Sequence, residues 1–106
     1  MTNAAQPTDL MVANTILAQL GGNRFRTMTG AKNLVGAPRA LQFRIGRGAK
    51  DGITNVQISL DDSDTYTVAF FVCRKFHSRL VGSTSFVHAD QLRAVFEAAT
   101  GLRTSL

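Results

Sequence analysis

The chain predicts a two-layer α+β domain: an N-terminal helix, an antiparallel meander of three to five strands, and a C-terminal helix, with both helices on one sheet face. Three observations predict it. Leu10, Ala13, Leu17 and Leu20 near the start, and Leu92, Val95, Phe96 and Ala99 near the end, repeat at helical spacing. The segments between them alternate apolar and polar residues with a period of two. Two amphipathic helices flanking half-apolar strands bury the most surface when both cover one face of the sheet.

Each element has its own signals. Residues 1–8 are small and polar and read as a flexible segment preceding a single domain over 9–106. Thr8 stands where an N-cap belongs and Asp9 complements the helix dipole, so the first helix is predicted over Asp9–Leu20, stopped by Gly21 and Gly22. Phe25, Thr27 and Thr29 alternate with Arg24, Arg26 and Met28, which predicts a short strand over Asn23–Thr29. Gly30–Pro38 reads as a loop or single helical turn, because the residue before proline avoids the helical region.

From Leu41 the alternation is clean. Leu41, Phe43 and Ile45 face one way while Gln42 and Arg44 face the other, and Val56, Ile58 and Leu60 repeat the pattern with Gln57 and Ser59. The two strands make a hairpin with a mobile tip, Gly46–Gly52, carrying Arg47 and Lys50. Asp61–Asp64 forms the next turn. Tyr66–Cys73 is apolar at nearly every position, which predicts a strand covered on both faces. A basic cluster of Arg74, Lys75, His77 and Arg79 precedes a last strand over Leu80–Val87, and the closing helix spans Ala89–Thr100, ended by Gly101.

A chain of 106 residues is long enough to bury ~65% of its unfolded surface without a metal or disulfide staple. The single cysteine, Cys73, closes no intramolecular bridge and fits a reducing cytoplasm. The start has neither a basic segment nor the apolar stretch of a signal peptide, and no apolar run approaches a membrane span. A cytoplasmic protein with no membrane association is the expectation.

Charge is the most informative feature for function. The formal charge is +5, from twelve Lys and Arg against seven Asp and Glu, and between Leu10 and Lys50 the cations Arg24, Arg26, Lys32, Arg39, Arg44, Arg47 and Lys50 meet no acid. A one-sign stretch followed by the acids Asp61, Asp62 and Asp64 points to a directed field and a polyanion partner. Nine of the twelve cations are arginine, whose planar fork suits phosphate oxygens and stacks on bases. With both helices on the apolar face, Gln42, Arg44, Gln57 and Ser59 line the uncovered face, joined by Arg24, Arg26 and the aromatic Phe71. That arrangement is similar to surfaces on which single strands lie. The predicted phosphate contacts are Arg24, Arg26, Lys32, Arg44, Arg47 and Lys50, with Arg74, Lys75 and Arg79 flanking them. An ordinary solvated sheet face is the competing reading.

The motifs that would announce chemistry are incomplete. Gly46-Arg47-Gly48-Ala49-Lys50-Asp51-Gly52 has its third glycine one position late for a dinucleotide fingerprint and is followed by a strand. Gly30-Ala31-Lys32-Asn33 lacks the Gly-Lys-Ser/Thr of a phosphate loop. Asp61, Asp62 and Asp64 lack the further oxygen ligands of a calcium loop. Cys73 and His77 supply two zinc ligands where three or four are needed, and a lone cysteine in an apolar strand reads as a small core residue, not a nucleophile. His88 belongs to the entry turn of the last helix, and Glu97 faces Arg93 across one helical turn. No catalytic residue, metal ligand or cofactor site is predicted, and the chain reads as a non-enzyme.

Three stretches carry a resemblance: Gly21-Gly22-Asn23-Arg24-Phe25, Met28-Thr29-Gly30-Ala31-Lys32-Asn33, and Ala89-Asp90-Gln91-Leu92-Arg93 with Phe96-Glu97 and Ala99-Thr100-Gly101-Leu102. From about Thr15 onward the chain resembles a family of small proteins of bacteriophages, prophages and plasmids. The resemblance implies a context and no activity: a mobile-element accessory that handles nucleic acid, DNA ahead of RNA, or a module that binds and modulates a host or phage protein. A homodimer is compatible with an uncovered face or an open sheet edge.

Overall fold

The computed structural model describes residues 6–104, which form three α-helices, two short 3-10 turns and one five-stranded sheet. The order is α1 (Gln6–Leu20), α2 (Gly22–Thr29), β1 (Lys32–Ala37), β2 (Ala40–Arg44), β3 (Asn55–Leu60), β4 (Tyr66–Arg74), β5 (His77–Val87) and α3 (Leu92–Thr100). The strands form an antiparallel meander in chain order, β1-β2-β3-β4-β5. The helix–meander–helix α+β architecture is the one the sequence predicts. Helix α1 packs over β1 and β2 and α3 over β4 and β5, enclosing one core that includes Ile16, Leu20, Phe43, Val56, Ile58, Val68, Phe70, Leu92 and Phe96. Of the segment 1–8 expected to be flexible, residues 1–5 lie outside the described residues, and α1 already begins at Gln6.

Two elements depart from expectation. Asn23–Thr29 is helical, not a strand. Phe25 and Thr29, four residues apart, are both buried, whereas Thr27, which period-two alternation would place beside them, is exposed. The Thr29 hydroxyl donates to the Phe25 carbonyl (2.7 Å), and Gly30 ends the helix in the left-handed conformation with its N–H on the Arg26 carbonyl. Phe25 contacts Phe43 and Phe96 edge-on, with centroids 5.3 and 5.2 Å away, so α2 closes one end of the core.

The second departure is β1, an edge strand in the segment expected to be a loop. Only Leu34 among its residues is even half-buried, so it carries no alternation to read. In β4, burial alternates between buried and half-buried, so one face is covered and not both. Cys73 is accordingly half-buried on the uncovered side, not a core residue.

Register defines the uncovered face. Val35, Gln42, Gln57, Ala69 and Ser83 form one row across the five strands, and Lys32, Arg44, Asn55, Phe71 and Leu80 form the next. The meander sends alternate connections to opposite ends of the sheet. The β2–β3 loop and the β4–β5 turn share one end, and the β1–β2 and β3–β4 turns share the other.

Candidate functional site

The two ends carry opposite charge. At one lie Lys32, Arg44, Arg47, Lys50, Arg74, Lys75 and Arg79, with Asp51 as the acid. At the other lie Asp61, Asp62 and Asp64 of the β3–β4 turn and Asp90 after β5, with Arg39 as the cation. The nine residues of β4 span the separation, about 26 Å at ~3.3 Å per residue.

At the acidic end, hydrogen bonds tie Asp61 and Arg39 to the neighbouring backbone and side chains. The Thr67 hydroxyl donates to Asp61 Oδ2 (2.7 Å), Asp64 N–H donates to the Asp61 carbonyl (3.0 Å), and Arg39 bonds the Leu60 carbonyl (3.1 Å) while lying 3.6 Å from Asp62. Arg39 therefore works as a clasp between two turns. Among the described residues no three His, Cys, Asp or Glu side chains gather as a metal site.

The basic end is built around glycines. Lys32, Arg44 and Arg47 line a depression of about 570 Å³ floored by Gly30, Gly46, Gly48, Gly52 and neighbouring backbone. Its shape depends on a close backbone crossing. Gly46 N–H donates to the Thr29 carbonyl (2.8 Å), and a Cβ on Gly30, at φ +70°, would lie 3.1 Å from Gly46 Cα. The β2–β3 loop is thus tied to the end of α2 and is not the free tip expected. Lys32 also lines an adjoining depression with Arg26 and Asn33. On the other side, the Arg74 guanidinium lies beside Gly52. Arg26, Lys32, Arg44, Arg47 and Arg74 therefore form one band.

The other predicted contacts separate from that band. Arg24, on the opposite side of α2 from Arg26, lines a depression with Gly21, Asn23, Arg93 and Thr104, so neither α2 arginine lies on the sheet face. Lys50 turns toward α3. Its Nζ donates to the Ala98 carbonyl (3.3 Å) and its methylenes lie over Gly101, placing a cation at the negative end of a helix dipole. Lys75 and Arg79 are exposed on the β4–β5 hairpin.

No protein-family model, curated protein or solved structure matches this chain. Of the uncovered sheet face, only Lys32 and Arg44 are cationic, both in the row that ends on Phe71 and Leu80. The rest is neutral.

Two side chains considered for chemistry have structural tasks. His88 caps the short 3-10 turn Ala89–Gln91 that leads into α3, its backbone N–H donating to Gln91 Oε1 (3.1 Å). Glu97 Oε2 accepts the N–H and hydroxyl of Thr104, each at 2.8 Å, and Arg93 Nε donates to that hydroxyl (3.0 Å). These Thr104 hydrogen bonds, with Arg93 and Arg103 adding to them, hold the Glu97 carboxyl below its ordinary value of 4.5. Thr104 thus stands between the two residues expected to pair directly.

One residue at the basic end was not among the candidates. Phe76, in the turn between β4 and β5, is 96% exposed and flanked by Arg74, Lys75, His77 and Arg79. An aromatic inside a basic cluster between two strands was the available signal.

Proposed function

We propose that the protein is a non-enzymatic nucleic-acid-binding accessory, DNA ahead of RNA, that holds the phosphate backbone with the basic end of its sheet. The observation that carries this reading is the segregation of charge: one band of cations around a glycine-floored depression, with the acidic turn Asp61–Asp64 about 26 Å away. Glycines let a phosphate approach the backbone closely, and Arg44, Arg47 and Arg74 present planar forks around the opening. The acidic end repels a polyanion and orients it toward the basic one. Cytoplasmic work for a phage or other mobile element is the context that the sequence resemblance supplies. Among the described residues, no helix is long and apolar enough to cross a membrane.

The test is fluorescence anisotropy with single- and double-stranded oligonucleotides at about 50 and 200 mM salt. With three or four phosphates neutralised, log affinity falls against log salt with a slope of roughly −3 on duplex DNA. Substituting Arg44 and Arg47 together by alanine weakens binding, and substituting Arg39 does not. Absence of binding to either strand form at the lower salt refutes the reading.

A second reading, a protein-interaction module acting on a host or phage factor, is favoured by the neutral part of the sheet face. Val35 and Leu80 are exposed there and Phe71 is half-buried. It predicts one stoichiometric protein partner recovered after nuclease treatment.

A further inference from the structure

Phe76 lies at the tip of the β4–β5 hairpin. Strand β3 last pairs with β4 at Asn55–Phe71, and the final tie to the rest of the sheet is the Cys73 N–H on Thr54 Oγ1 (2.8 Å). Beyond Cys73 the two strands pair only with each other, closing at Arg74–His77. The Lys75–Phe76 turn therefore overhangs the sheet by about 10 Å at ~3.3 Å per residue. Lys75 has φ +46°, a left-handed conformation that such two-residue turns require and that glycine or asparagine fills with less strain. The position that sets the turn's shape thus holds a long cation.

An isolated phenylalanine held fully in water at the tip of a ribbon does nothing for the core. What it offers is a rigid apolar ring with four basic side chains, counting His77, within three residues of it, on the end of the molecule that carries the cationic band. A ligand matching both features has flat apolar faces regularly spaced along a polyanion, which describes the bases of a nucleic acid. Phe86 supplies an internal comparison. It is 73% exposed on β5, the second strand of that hairpin, but beside Tyr66 and Thr67 at the acidic end, about 33 Å away at ~3.3 Å per residue.

We propose that Phe76 is a base-stacking residue. With Arg74, Lys75 and Arg79 on the flanking phosphates, its ring takes an exposed nucleobase, either one already unpaired in a single strand or one unstacked from a duplex step. This rests on the phosphate-binding reading above and assigns it a contact to bases, which the cationic band lacks.

The chain has no tryptophan, so Phe76→Trp places a single indole, excited selectively at the red edge beyond tyrosine, at the tip. The expected result is that a single-stranded oligonucleotide quenches this emission, an abasic oligonucleotide of equal length does not, and Phe86→Trp responds to neither. Phe76→Ala lowers affinity for the base-bearing strand by about tenfold or more, leaves affinity for the abasic strand unchanged, and keeps the slope against salt. The exposed ring makes no core contact, so thermal melting of the Ala variant matches the parent. A duplex arm separates the two base sources: quenching by single strand alone assigns unpaired bases, and quenching by both assigns a wedge.

Two results overturn the stacking role while leaving phosphate binding intact: equal binding of base-bearing and abasic strands by parent and Phe76→Ala, or unquenched emission from Phe76→Trp in a bound complex. Failure of the parent to bind any oligonucleotide removes the phosphate reading and the stacking role with it. A blue shift of the Phe76→Trp emission on anionic vesicles, without quenching by oligonucleotide, overturns the proposal in favour of a lipid surface.

Discussion

Lys50 and Arg44 are both exposed cations of the acid-free stretch, and the structure gives them separable tasks. Lys50 Nζ is bonded to the Ala98 carbonyl near the end of α3, while Arg44 lines the glycine-floored depression. A cation at a helix C-terminus contributes ~0.3–1 kcal/mol, and covering Gly101 with methylenes adds a little. The cost of Lys50→Ala is thus about 1 kcal/mol. Unfolding entropy near ~2.1 cal/mol/K per residue over 106 residues is about 0.22 kcal/mol/K, so Tm falls by about 5 °C. Because Lys50 points to the helix, the slope of log affinity for duplex DNA against log salt stays near about −3.

Arg44→Ala is expected to do the reverse. It removes no intramolecular partner that the structure shows among the described residues, so Tm stays within about 2 °C, the range of an ordinary surface change. Loss of one phosphate contact flattens the slope by about one unit. Over a fourfold rise in salt, the parent then loses about 60-fold in affinity and the variant about 16-fold. Circular dichroism melting and anisotropy titration on the same preparations read both quantities. Flattening of the salt slope by Lys50→Ala with Tm unchanged, or a lower Tm with the slope intact in Arg44→Ala, would overturn the separation of tasks between these two cations.

Two further outcomes follow from the scaffold. Because the Thr104 hydrogen bonds lower the Glu97 pKa in the folded state, their contribution is fully present above the ordinary value of 4.5 and is lost as pH falls from there through the folded value. The Tm gap between parent and Glu97→Gln should therefore be present at neutral pH and shrink in acid below 4.5; a gap that widens in acid contradicts the assignment. Gly30→Ala combines a left-handed φ of +70° with a Cβ 3.1 Å from Gly46 Cα, and should cost about 2–3 kcal/mol, lowering Tm by about 10 °C. An unchanged Tm would mean that the α2 end and the β2–β3 loop do not cross as closely as described.

The elements legible in the sequence were those with one wet and one dry face. Phe43 and Ile58 alternate with Arg44 and Ser59 because β2 and β3 turn one face to the core, and Leu92 and Phe96 repeat because α3 turns one side to the same core. Asn23–Thr29 misled because seven residues with two buried positions hold too few repeats to separate a period of two from one of 3.6. Thr27 alone discriminates, and threonine tolerates either environment. Strand β1 left no pattern because it is an edge strand with almost no buried side chain, held by pairing to β2 and contact with α1. Lys50 could not be told from Arg47 in sequence, since its partner carbonyl lies forty-eight positions away.

The charge polarity was legible in principle, by a rule the linear count obscures. In an antiparallel meander of adjacent strands, successive connections fall on alternate ends of the sheet. The connections here run Pro38–Arg39, then the basic loop with Arg47, then the acidic turn Asp61–Asp64, then the basic turn with Lys75. The basic connections are separated by one acidic connection, so all the basic ones share an end without any long-range information. The same parity brings Arg39 to the acidic end, where it meets Asp62 and not a phosphate. An unbroken run of positive charge along the chain therefore divides in space. What directs the field is the alternation of loop charge with strand number, and the acid-free stretch contributes only those cations whose position falls on the β2–β3 side.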